Sequence, residues 1–309
     1  MDESSGLYEV MFPIGWVGGR PADELRGAPN GHPLPADWTD VVVSQTLACG
    51  IGVVAERRGF TVYDFSGWPP GVARPPGGPA LRTVGSTSEA AKPAVIQRLR
   101  VVNSHIVLMH AAIARQQQEV TAVQRVNERD LYRLDYPDES DEPFWYQPLG
   151  NILPASVTAV ERQRFGEISA GSYAVSLRWL DTVVAVGATL LFDLVNQAMA
   201  ALGTFDYALA VVSGWTVCEL RLRALFRSTG GSTRARAFEV TRDLQAAGVI
   251  SPALRSRLDV LRDGRNAFLH SGTEPDEATA VEAVALAAVM VQSVVPSFAV
   301  MPGKRLLLL

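Results

Sequence analysis

The stretch "LRDGRNAFLHSG", residues 261–272, decides how the C-terminal half of the chain folds. Leu254, Leu258 and Leu261 recur at i, i+4 and i+7, the spacing that places side chains on one buried face of a helix. The next position on that stripe is Arg265, not another leucine. Asn266 follows it, and His270 comes five residues after the arginine. A permanent charge on a core-facing stripe costs free energy unless a carboxylate, a solvated groove or a second subunit compensates it. Gly264 weakens the helix by about 1 kcal/mol relative to alanine, so a local distortion or a close backbone approach is expected there. On an ideal helix His270 lies about 140° around from Arg265. The two side chains therefore do not stack on one face, but they converge if the helix ends between them, as Ser271-Gly272 suggests, because arginine is long and the histidine then sits on the terminal turn.

Around this stretch almost everything from about Ser172 onward reads as helix. Ser251-Pro252 provides an N-cap followed by proline at the first helical position. A shorter helix is expected over about Thr233–Ala247. A longer one covers Phe205–Arg227, with Val211, Trp215, Cys218, Leu222 and Leu225 as its apolar seam, and "STGGST" ends it. Tyr173–Leu202 reads as one helix stopped by Gly203. In "TEPD", Thr273 and Asp276 have capping-box spacing and start a last helix running to about Val295. Four or five antiparallel helices with short loops make a bundle.

The N-terminal region differs. "LYEVMFPIGWVGG" and "DVVVSQTLACGIGVVAE" are strand-like runs broken by glycine and proline, and "FTVYDF" alternates. In "WPPGVARPPGGP" (68–79) eight of twelve residues are proline or glycine, which marks a loop or linker. Over about 91–118, Val95, Leu99, Val102, Ile106, Met109 and Ile113 keep a three/four spacing, so a long amphipathic helix is expected. "DYPDESDEPFWYQPLG" (135–150) reads as a second connecting loop. The expected fold class is α+β: a strand-containing N-terminal region over 1–150, an all-α bundle over 173–298 and a tail over 299–309.

Composition narrows the function. Nearly half of the 309 residues are hydrophobic and 19% are charged, as in a globular protein and unlike a disordered one. Two cysteines form no disulfide framework and no metal-type spacing, and the acidic start is not a signal peptide, so a cytoplasmic location is expected. The apolar run "TVVAVGATLLF" is bracketed by Asp181 and Asp193 and is too short to span a bilayer. No P-loop, HExxH, zinc pattern or G-x-S-x-G elbow is present, and neither a metal nor another cofactor is expected. The net charge is −4, yet residues 219–265 hold ten arginines against five acids. Such a stretch is either a polyanion footprint or a set of solvated helix faces.

"RNAFLH" within a penultimate bundle helix resembles the R-x(4–6)-H motif of HEPN domains, a helical-bundle family rich in RNA-cleaving toxins and anti-phage effectors. In that family a polar residue, often asparagine, commonly follows the arginine. The helix "YALAVVSGWTVCELRLRALF" looks like the long early helix of such domains. The resemblance covers about residues 173–298 and nothing before 170. A second R-x4-H match, Arg100 to His105, lacks the asparagine, and His105 and His110 read as structural.

The resemblance implies metal-independent RNA cleavage, with 2′-hydroxyl attack leaving a 2′,3′-cyclic phosphate and a 5′-hydroxyl. His270 is then the acid and base, since imidazoles as a class titrate near neutral pH. Arg265 holds the phosphate and offsets charge in the transition state, and Asn266 orients the phosphate or the histidine. Glu219 is a candidate for positioning Arg265 or His270, with an ordinary flanking carboxylate as the alternative. Arg262 is a candidate for guiding RNA, with surface solubility as the alternative. The implied partners are RNA, tRNA among the candidates, and a second copy of the chain through the bundle, with a regulatory partner or phage trigger acting through the N-terminal part. No membrane is implied. The competing readings are a non-catalytic HEPN module that binds RNA or protein, and a structural helical protein whose motif is accidental.

Overall fold

The computed structural model describes residues 7–11, 16–18, 40–57, 59–65, 68, 92–114, 125, 132–133 and 167–298. The chain divides into two compact units, Met1–Gly187 and Ala188–Leu309. The loop expected over 135–150, the tail 299–309 and all but Trp68 of the linker 68–79 lie outside the described residues. The architecture is α+β, and all the described strands lie in the first unit.

In the first unit, strands β1 (Leu7–Met11), β3 (Val41–Thr46), β4 (Gly52–Glu56), β5 (Phe60–Asp64) and β6 (Tyr132–Arg133) form an antiparallel sheet in the order β3-β4-β5-β1-β6. Strands β2 (Trp16–Val17) and β7 (Glu167–Ile168) pair in parallel separately. Each of the three strand-like runs of the sequence contains one or two of these strands. Along β4 and β5 burial alternates, and the register Val53↔Tyr63 and Ala55↔Thr61 gathers those four side chains on the buried face.

Helix α1 (Lys92–Ala114) and helix α2 (Ala170–Ala185) pack together. The amphipathic helix expected at 91–118 is α1, but it is not amphipathic: every residue from Val101 to Ala114 is buried. Of its two buried histidines, His105 is met by partners, whereas neither ring nitrogen of His110 has a hydrogen-bond partner among the described residues. His105 Nδ1 meets Tyr63 Oη at 2.5 Å, and its Nε2 meets Ser176 Oγ at 3.0 Å. Ser176 Oγ also donates to the Tyr173 carbonyl at 2.7 Å, and the Tyr173 hydroxyl meets Thr61 Oγ1 at 3.0 Å. Burial lowers the pKa of His105 to about 3 and that of His110 to about 4. His105 is thus a core residue, whatever its spacing from Arg100.

The single helix expected over Tyr173–Leu202 is two, α2 and α3 (Thr189–Gly203). Gly187 adopts φ +66° between them, a left-handed turn that glycine takes without steric cost. The bundle therefore begins at Ala188, and α2 belongs with the sheet. The second unit comprises α3, α4 (Tyr207–Ser228), α5 (Ala237–Ala246), α6 (Pro252–Ser271) and α7 (Glu277–Val291). Helix α4 is the hub and packs against the other four. Its seam residues Val211, Trp215, Cys218 and Leu222 are buried, and Leu225 is half-buried.

The helices are not all antiparallel. A Cβ on Gly214 would lie 2.8 Å from the Ala283 carbonyl oxygen, while farther along Arg221 donates to Ser293 at 2.6 Å, so α4 and α7 run in the same direction. Helix α6 opposes α7, since Arg257 pairs with Glu282 and Gly264 abuts Thr279. Helix α7 starts one turn later than the capping-box spacing suggests. Asp276 is its N-cap and accepts from the Thr279 amide at 2.8 Å.

Candidate functional site

The candidate site lies on α6, whose ends are strongly specified. Ser251 Oγ accepts from the Leu254 amide at 3.1 Å and Pro252 takes the first position, which fixes φ and needs no amide partner. At the far end Gly272 adopts φ +64° and donates to the Phe268 carbonyl at 2.9 Å. The helix therefore runs unbroken through Arg265, Asn266 and His270. It does not end between the arginine and the histidine, so within one chain their side chains leave the helix about 140° apart.

Leu258 and Leu261 are the buried residues of α6, Leu254 is half-buried, and Arg265 follows them half-buried on the same stripe. Gly264 marks a close approach rather than a distortion: a Cβ there would sit 3.3 Å from Thr279 Cγ2 of α7. No carboxylate compensates Arg265 among the described residues. Its Nη1 donates to Asn266 Oδ1 at 3.0 Å, and its buried Nε has no hydrogen-bond partner. A buried guanidinium N–H without a partner is costly. His270 is exposed in the last turn.

Two other sequence candidates are engaged elsewhere. Glu219 accepts from Arg223 at 2.7 and 2.9 Å and from Trp215 Nε1 at 3.2 Å, so it positions neither Arg265 nor His270. An ion pair four residues apart on one helix is the reason. Arg262 is held by Asp259 at 2.8 Å and Asp263 at 2.9 Å, which neutralises it as a guide for RNA.

The arginine-rich stretch thus splits in two. Arg223, Arg242, Arg255, Arg257 and Arg262 are ion-paired. Arg221, Arg227, Arg234, Arg236 and Arg265 have no carboxylate partner among the described residues. Sequence reasoning did not separate these groups, although the lack of any acid between Glu219 and Glu239 was a readable signal. Among the described residues no three His, Cys, Asp or Glu side chains cluster as metal ligands would. No helix among them is long and apolar enough to cross a membrane.

Comparison with known proteins finds no match. No family model fits the chain, and neither a curated protein nor a solved structure is similar to it.

Proposed function

We propose that the α3–α7 bundle is an endoribonuclease of HEPN type, acting as a homodimer in the cytoplasm as a toxin or anti-phage effector. One observation carries the reading: Arg265 sits on the core-facing stripe of the penultimate helix with no carboxylate partner among the described residues and with a buried Nε that has no hydrogen-bond partner there. A phosphate arriving at that helix is the compensation its charge lacks.

In the proposed reaction a histidine takes the proton from the ribose 2′-hydroxyl, and O2′ attacks the adjacent phosphorus. The P–O5′ bond breaks, the leaving oxygen takes up a proton, and a 2′,3′-cyclic phosphate remains. Arg265 binds the non-bridging oxygens as charge builds on them, with Asn266 orienting its guanidinium. Because Arg265 and His270 diverge on a straight helix, the active centre joins the arginine of one copy with the histidine of another.

The same divergence favours a second reading, in which the bundle binds RNA or a protein without cleaving. Purified wild type, His270→Ala, Arg265→Ala and Glu219→Gln incubated with total RNA and tRNA in EDTA separate the two. The nuclease predicts cyclic-phosphate ends from wild type and Glu219→Gln, with both site variants silent. Silence of all four proteins supports the binding module. Cleavage that EDTA abolishes and the site variants leave untouched would overturn the site.

A further inference from the structure

Helix α4 ends in a basic turn that the nuclease centre does not use. From Leu220 to Phe238 the chain has five arginines and no acid, although acids outnumber lysines and arginines 32 to 28 overall. Arg223 is occupied within the fold: it pairs with Glu219 and donates to the Ala235 carbonyl at 3.1 Å, which ties the turn to the helix. Gly231 presses on the Phe226 ring so closely that a Cβ would overlap it, and its amide donates to the Phe226 carbonyl at 2.9 Å. Ser232 Oγ accepts from the Arg234 amide at 3.2 Å, and Glu239 accepts from the Arg236 amide at 2.6 Å. The turn is therefore fixed before any partner arrives.

On this fixed turn Arg227, Arg234 and Arg236 are all exposed, and none has a carboxylate partner among the described residues. Paired arginines elsewhere in the bundle show that an acid within reach is normally taken. Beside them Phe238 is 45% exposed. Arg227 uses only its Nε within the fold, on the Arg223 carbonyl at 3.3 Å. Three guanidinium groups without a carboxylate suit a phosphate backbone, and an exposed aromatic ring offers a surface on which an unpaired base stacks. An acidic protein would satisfy the charges but gives no reason for the ring.

We infer that the α4–α5 turn is a second RNA-contact surface, on which Arg227, Arg234 and Arg236 hold the phosphate backbone and Phe238 stacks a single-stranded base. The choice of RNA rests on the nuclease reading; the surface itself does not. Helix directions place the turn away from the candidate site. Cys218 of α4 is near Arg257 of α6, and the two helices run in opposite directions from that level. Arg227 and Arg265 are then separated by about 25 Å of helix rise, so the substrate is an RNA long enough to span the bundle.

The experiment measures binding of a fluorescent single-stranded RNA to the full chain in the His270→Ala background, as a function of salt. Three phosphate contacts at about 0.7 each make the salt slope of log K fall by about 2 in an added Arg227→Ala/Arg234→Ala/Arg236→Ala triple variant. The matching triple arginine-to-lysine variant keeps the slope, which excludes misfolding as the cause. Phe238→Ala weakens binding about fivefold or more with the slope unchanged. An unchanged slope in the triple alanine variant overturns the surface, as does absence of RNA binding by the parent. Competition by polyglutamate as effective as by RNA would assign the turn to an acidic protein instead. Cleavage by His270→Ala equal to wild type would overturn the nuclease centre while leaving the binding result standing.

Discussion

Two glycines inside bundle helices should respond to the same substitution with opposite signs. Replacing Gly264 by alanine gains about 1 kcal/mol of helix propensity. Its new methyl meets only Thr279 Cγ2, at 3.3 Å, and a side-chain methyl gives way by a few tenths of an ångström. The net effect is a stabilisation of about 0.5 kcal/mol. Gly214→Ala gains the same propensity, but its Cβ lies 2.8 Å from the Ala283 carbonyl oxygen and 2.9 Å from the carbonyl carbon. Ala283 is fully buried in the middle of α7, so α4 and α7 must separate. Overpacking of this kind costs about 1–3 kcal/mol, at the upper end when backbone is the obstacle, which leaves a net loss of about 1–2 kcal/mol. The two variants differ by about 2 kcal/mol. Cys218 provides the assay, since it is buried four residues from Gly214 and burial pushes its thiol up to about 12. It reacts with a thiol reagent only when the bundle opens, so its labelling rate, located by peptide mass, follows the opening equilibrium. Gly214→Ala should label about 30-fold faster than Gly264→Ala. Equal rates would refute the close α4–α7 approach, and faster labelling of Gly264→Ala than of wild type would show that α6 and α7 are pressed together as tightly.

The first unit should lose stability in mild acid. Burial lowers His105 and His110 to about 3 and about 4 from the ordinary 6.5, so between those values the unfolded chain binds protons that the native one does not. Their contribution is complete above about pH 7 and falls as pH drops through 6.5, by about 4 kcal/mol for the pair between pH 7 and pH 5. Hydrogen exchange of α1 and α2 amides at the two pH values measures this, and equal protection would refute it. Ser251→Ala removes the acceptor for the Leu254 amide and should cost about 1 kcal/mol in denaturant titration, against little for Ser256→Ala on the exposed side of α6.

Local signals were the most legible part of the fold. Ser251-Pro252 begins α6 where the sequence places it, and the alternation of "FTVYDF" coincides with β5. Both features are decided within a few residues by capping chemistry and pleat. What required distant partners was not legible. The position of β1 between β5 and β6 joins residues some fifty apart and beyond, and nothing in Leu7–Met11 names its neighbour. The break at Gly187 was hidden because a glycine inside a helix costs only about 1 kcal/mol, too little for an apolar run on both sides to reveal which way the chain goes. Helix α1 misled for the opposite reason. Its three/four apolar spacing predicts one wet face, yet Asn103, Ser104 and His105 are buried too, with Tyr63 and Ser176, from other elements, meeting the imidazole.

The same division between local and distant runs through the candidate site. Periodicity alone placed Arg265 on the inward stripe of α6, and the packing keeps it there. Which arginines are free could not be read from their number, because Arg262 and Arg265 are three residues apart and meet opposite fates. Arg262 has Asp259 and Asp263 within one turn of its own helix. Arg265 has Asn266, a neutral acceptor, and no acid brought to it by α4 or α7. Glu219, the carboxylate the sequence offered, pairs with Arg223 on its own helix. Replacing Glu219 with glutamine removes that charge and keeps the tie between Arg223 and the Ala235 carbonyl. If Arg265 is the anion-binding group, RNA affinity stays within twofold in Glu219→Gln while Arg265→Ala loses it. A matching loss in both would show that Glu219 acts on the site in spite of its pair with Arg223.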